Sequence, residues 1–213
     1  MKKPGRFITF EGIDGCGKTT QLRLLGAHMR ECGLEVVETV EPGGTEIGKQ
    51  VRQVLLNPGN GEMTPRAEML LYFASRAQNV EQVIRPGLGR GANVLCDRFT
   101  DSTLAYQGAG RGLDTEPILM LDKLACNGLR PDLTILIDLD VAKGRERLME
   151  RNAKVGPGET RIDEESAAFH ARVRAGYHAL ALREPQRIRV VNGAERIGTV
   201  AKLVWEQVEP FVR

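Results

Sequence analysis

The sequence predicts an α/β fold: a parallel sheet sandwiched between two layers of helices. Two observations carry this prediction. Short strand-like runs alternate with longer stretches of helical periodicity along the whole chain. The runs also end in glycine-rich or charged turns, as strands do where a sheet carries its ligands at one edge.

The elements follow in order. RFITF (6–10) is a strand that enters the glycine-rich FEGIDGCGKT, and TQLRLLGAHMREC (20–32) has helical spacing. EVVETV (35–40) is a second strand, followed by EPGGTEIG and a helical KQVRQVLL. The turn-rich NPGNGEMTP (57–65) precedes a long helical stretch, RAEMLLYFASRAQNVEQVI, with Pro65 suited to its start. ANVLC (92–96) is a third strand, ending at Asp97-Arg98, and DSTLAYQGAGRG (101–112) follows, with a glycine-rich loop as its plainer reading. LTILIDLD (133–140) and RIRVV (187–191) are the last strands, with a closing helix over 195–209. The most loop-like interior stretch is NAKVGPGET (152–160). No repeat or long linker divides the chain, so one domain over 1–213 is expected.

Thirty basic residues against 28 acidic ones leave a formal charge of +2 over 213 residues. Such balance implies no broad field for nucleic acid or a membrane surface. The start of the chain, MKKPGRFITF, has no long apolar run of the signal-peptide type. No stretch reaches the roughly 18 apolar residues of a membrane span. The cysteines at 16, 32, 96 and 126 lack metal-type or CxxC spacing, so reduced thiols and a cytoplasmic location are expected.

The chemistry begins at Gly12-Ile13-Asp14-Gly15-Cys16-Gly17-Lys18-Thr19, which fits GxxxxGK[ST] at every specified position. Such a loop lets successive backbone N–H groups wrap a phosphate, and the following helix adds its positive end. Lys18 would then reach the β- and γ-phosphates of a nucleotide, and the Thr19 hydroxyl would hold Mg²⁺. The prediction sharpens to a P-loop three-layer sandwich. A GTPase would carry NKxD, and a DxxG beyond the loop; neither occurs. ANVLCD would serve as the acidic strand of an ATPase, but the arginine that follows suggests a second phosphate.

At that strand end Arg98 is placed to grip a monophosphate bidentately, and Asp97 to hold a metal-bound water. A surface ion pair is the competing reading of both. Arg76 lies four residues after Tyr72 on one helical face, suited to stacking on a base and bonding its edge. Core packing is the plainer account of Tyr72 and Phe73. Tyr106 and Gln107 could close over a nucleoside. Lys143, Arg147, Arg151 and Lys154 recur at helical spacing and lead into 152–160, either as a solvated face or as a lid over the transferring phosphoryl group.

Taken together, these blocks resemble the bacterial thymidylate kinases. The likeness runs through FEGIDGCGKTTQ, EPGGT, LLYFASRAQ, DRF, STLAYQGAGRG, RPDLTILID and RIDEES. It implies a five-stranded parallel sheet, a mobile lid over about 147–163, ATP with Mg²⁺, and a homodimer formed through helices beside the sheet. Residue by residue it implies that Asp14, with Thr19 and Asp97, lies near the metal. Lys18, Asp14, Arg98, Arg147 and Arg151 would form the catalytic set. Glu41, Tyr72, Phe73, Arg76, Arg98 and Ser102 would line the dTMP site, with Thr103 and Gln107 near the base. Tyr106 would pack where a ribose 2′-hydroxyl stands, favouring deoxyribose. The chain departs from many relatives at Gly15, where some have arginine, at Val40 and Met149, where arginine is frequent, and at Asp163, where many have Glu.

The implied reaction moves the ATP γ-phosphoryl group to dTMP. A kinase for dUMP or UMP, and a nucleotide switch without transfer, are the rival readings.

Overall fold

The computed structural model describes residues 5–155 and 160–212. Its sheet consists of β1 (Phe7–Glu11), β2 (Val36–Val40), β3 (Asn93–Asp97), β4 (Leu133–Asp138) and β5 (Ile188–Asn192). All pairings are parallel and the order is β2-β3-β1-β4-β5. This is the five-stranded α/β sandwich that the sequence predicts.

Successive strand side chains point to opposite faces, and β1 shows the division. Ile8 and Phe10 join a core shared with Leu22, Leu25 and Met29 of α1 (Lys18–Glu31) and Val200 and Val204 of α9 (Ile197–Val212). Phe7 instead packs with Val80, Ile84, Val94 and Phe99. On that face lie α3 (Pro65–Asn79), a π-helical turn Val80–Ile84 and α4 (Arg85–Gly89). It is also the face of Glu11, reached by α8 (Ala167–Arg183) through the Tyr177 hydroxyl. α2 (Glu46–Leu56), capped by Thr45, packs on α3, as does α6 (Thr115–Cys126).

Two boundaries differ from expectation. The 101–112 segment is helical as far as Gly110 rather than a loop throughout: α5 (Thr100–Thr103) runs into a π-helical turn, Leu104–Gly110. Its glycines serve packing. A Cβ on Gly110 would stand 2.7 Å from the Phe169 ring, and one on Gly176 would stand 2.7 Å from Ala109, so α8 lies tight against this turn. β4 stops at Asp138, because the Asp140 side chain accepts from Ala142 N and starts α7 (Val141–Val155). Of the 147–163 segment expected as a lid, residues 147–155 complete α7. Residues 156–159 and the Lys154 side chain lie outside the described residues. Among the described residues no helix is long and apolar enough to cross a membrane.

Candidate active site

The carboxyl ends of β1, β2 and β3 are adjacent in the sheet and deliver the loop at 12–17, Glu41 and Arg98 to one edge. Gly12, Gly15 and Gly17 have φ of 137°, 77° and 99°, a region closed to most L-residues. The loop therefore curls back on itself. Lys18 is buried and donates to the Ile13 carbonyl at 3.0 Å. Thr19 donates to the Asp97 carboxylate at 2.5 Å. A cavity of about 880 Å³ opens over this loop, bounded at its far end by Gly193 and Glu195.

A second cavity, of about 390 Å³, lies on the other side of Asp14 and Arg98. Glu41, Tyr72, Arg76, Ser102, Thr103 and Tyr106 all line it, as does Gln107. Phe73 does not. It is buried against Met69 and Ile118, with its ring 5.0 Å from the Arg76 guanidinium. Its place in the expected substrate pocket is corrected to one of support, because the α3 face bearing Phe73 is covered by α6.

Arg76 is held on three sides. The Phe73 and Phe99 rings flank it at 5.0 Å each, Nε donates to Glu41 at 2.6 Å, and Nη2 donates to Thr103 at 3.0 Å. Among the described residues its buried Nη1 has no hydrogen-bond partner. Asn79 occupies the other Glu41 oxygen at 3.1 Å. The Glu41 carboxylate compensates the charge of this buried guanidinium.

Arg98 has φ 73°, unusual outside glycine and costing ~1–3 kcal/mol of local strain. Its Nη2 donates to Asp14 at 2.5 Å and to the Tyr106 hydroxyl at 3.0 Å. Tyr106 in turn donates to the second Asp14 oxygen at 2.6 Å. Burial pushes Asp14 upward, but Arg98 and then Lys18 outweigh it and hold the carboxyl well below the usual range. Asp14 is thus held as the carboxylate at neutral pH.

The two arginines of α7, expected in a lid, part company. Arg147 donates to the Gly193 carbonyl at 3.2 and 3.3 Å and lines only the larger cavity. Arg151 lines both cavities and pairs with Asp163 at 3.0 Å. Burial, and next the Asp14 charge, raise the Asp163 carboxyl to about 6.

Several participants escape a reading of the sequence alone. Glu68, buried on α3, accepts from Gln107, Arg111 and Arg161, tying the residues after 159 to the small cavity's wall. Glu11 and Tyr177 stand behind Arg98. Glu11 sits beside the phosphate loop in FEGID, where an acid at an inward strand position was the available signal. Tyr177 and Glu68 carry no local signal.

A phosphate loop that serves one cavity, with an arginine at its edge facing a second, marks the P-loop kinases that phosphorylate small phosphorylated acceptors. A family model described as thymidylate kinase matches residues 10–204, and the chain belongs to the thymidylate kinase family. The thymidylate kinase of Pelotomaculum thermopropionicum is 52% identical over 213 residues, covering 98% of this chain and 97% of that one. That of Geotalea daltonii is 52% identical over 195 residues, 91% of each chain. The crystal structure of the Ehrlichia chaffeensis thymidylate kinase superposes with a TM-score of 0.79 at 33% identity, covering 97% of this chain and 100% of that chain.

Proposed function

We propose that the two cavities divide the reaction of this family between them, the larger taking ATP and the smaller dTMP. The enzyme phosphorylates dTMP to dTDP with ATP as donor, a step toward dTTP. The observation that carries the division is that Asp14, Arg98 and Arg151 line both cavities, so the shared wall is where a phosphoryl group would cross.

In this reading the loop amides and Lys18 bind the donor phosphates. Thr19 and Asp97 offer two hard oxygens, the small number that Mg²⁺ takes from protein while keeping water and phosphate oxygens. These residues fit the ion, and Asp14 stands nearby through the same wall. Mg²⁺, when bound, neutralises charge on the donor phosphates. Arg98 receives the acceptor phosphate, and Arg151, reaching both sides, is assigned the transferring group. Arg147, lying against Gly193, serves the donor nucleotide instead. Nη1 of Arg76, which has no hydrogen-bond partner among the described residues, suits a base carbonyl, with Tyr72 to stack and with Thr103 and Gln107 alongside. Tyr106 packs at the sugar.

The acceptor oxygen needs no strong base. A phosphate monoester has its second pKa near about 6 and is already ionised at neutral pH. The barrier lies in bringing two anions together, which Lys18, Arg98 and Arg151 offset while fixing their alignment.

The chain works as one catalytic domain in the cytoplasm, consistent with its four free cysteines. It pairs as a homodimer through α2, α3 and α6, where Ile47, Val54, Leu70, Leu119, Met120 and Leu124 expose apolar side chains.

ADP release with Mg-ATP and each of dTMP, dUMP, UMP, CMP, AMP and GMP tests the assignment. Strong preference for dTMP is expected. Preference for another monophosphate overturns the reading of the small cavity, and nucleotide binding without any turnover favours a switch.

A further inference from the structure

Glu11 is fully buried at the carboxyl end of β1 and lines neither cavity. Each of its oxygens is committed to the surroundings of one residue. Oε1 accepts from Phe99 N at 2.7 Å, the peptide that follows the left-handed Arg98. Oε2 accepts from the Ser102 hydroxyl at 2.5 Å and from the Tyr177 hydroxyl at 2.9 Å. Those same two hydroxyls receive Arg98 Nη1, at 3.0 and 3.2 Å. One carboxylate therefore holds the Arg98 backbone on one side and, through two relays, its guanidinium on the other.

A carboxylate kept only for packing has no need to converge this way. Burying it is costly, and an apolar side chain of similar size would fill the space at lower cost. What an apolar residue cannot do is anchor three donors that define where an arginine points. Arg98 has a direct anion in front, Asp14 on Nη2, and needs an opposing hold on Nη1 if it is not to swing wholly toward Asp14. The Glu11 relay supplies that hold together with the Gly12 carbonyl, which accepts from Nη1 at 3.2 Å.

We propose that Glu11 is a positioning residue of this kinase, which sets the Arg98 guanidinium through Ser102 and Tyr177 and its backbone through Phe99 N–H. The inference rests on the reading of Arg98 as the acceptor-phosphate ligand. Ser102 touches the small cavity, whereas Glu11 and Tyr177 act entirely from behind.

The test is a double-mutant cycle with Glu11→Gln and Arg98→Lys, read as kcat and as KM for dTMP and for ATP, with the melting temperature of each variant. Glu11→Gln is expected to lower kcat/KM for dTMP about 10- to 100-fold, the scale of a small misplacement of a reacting partner. KM for ATP should stay within about twofold, since the donor loop is untouched. In the Arg98→Lys background the Glu11→Gln loss should largely vanish, because the group it acts through is already gone. A Glu11→Gln loss of equal size in both backgrounds, or one shared equally by ATP and dTMP, overturns the proposal. Arg98→Lys with unchanged dTMP kinetics would instead overturn the Arg98 reading on its own. If Glu11→Gln does not fold, Tyr177→Phe carries the test. It keeps the ring packing and removes one relay, and it should raise KM for dTMP or lower kcat without moving KM for ATP. Wild-type dTMP kinetics in Tyr177→Phe would then sink the relay.

Discussion

Gly15 of the phosphate loop and Gly144 of α7 meet backbone against backbone. A Cβ on Gly15 would stand 2.2 Å from the Gly144 carbonyl oxygen, and one on Gly144 would stand 2.8 Å from the Asp14 carbonyl oxygen. The helix that carries Arg147 and Arg151 thus rests directly on the loop. This contact also accounts for the glycine at position 15. An arginine there would need φ 77° and the space of another backbone.

Gly144→Ala should therefore separate activity from stability. Alanine is favoured in a helix by ~0.8–1 kcal/mol, which offsets part of the crowding against Asp14. The shifted α7 misplaces its arginines, and kcat is expected to fall roughly tenfold or more with a melting temperature near wild type. Unchanged kcat would show that α7 can ride higher without consequence.

Glu41→Ala is expected to be expensive for the fold. It strips the compensating carboxylate from a guanidinium that is 1% exposed, and breaking such a pair typically costs ~3–5 kcal/mol. Denaturant unfolding followed by two probes measures it. A loss below about 1 kcal/mol would mean that water or a side-chain shift rescues Arg76.

Asp163 gives a pH signature. Its carboxyl is raised from 3.8 to about 6, first by burial and then by Asp14. A raised folded pKa means stability that is fully present below pH 3.8 and lost as pH rises through 6. Against Asp163→Asn, the wild type should lose ~1–3 kcal/mol between these limits. Melting temperatures of both proteins from pH 4 to 8 test this. Curves that run parallel across the range would refute it.

How far the sequence reads depends on whether the signal is local. The GxxxxGKT loop is legible because a phosphate cradle is built from consecutive residues. The strand ends are legible because parallel strands deliver them to one edge. Phe73 illustrates the limit. It sits beside Tyr72 and three residues from Arg76, yet which α3 face meets the cavity depends on where α6 lies. The 101–112 segment misled for a related reason: its glycines read as a flexible loop but exist to admit α8.

The sequence alone determined the fold class, the phosphate loop and the family, since each rests on short-range spacing and on blocks in a fixed order. Only the tertiary structure decided that Arg147 lines the larger cavity alone while Arg151 lines both, and that Glu11, Ser102 and Tyr177 converge on Arg98. Those relations join residues up to 166 positions apart. A hydrogen bond between distant segments is fixed by how helices pack on the sheet, and it leaves no mark on the neighbours of either residue in the chain.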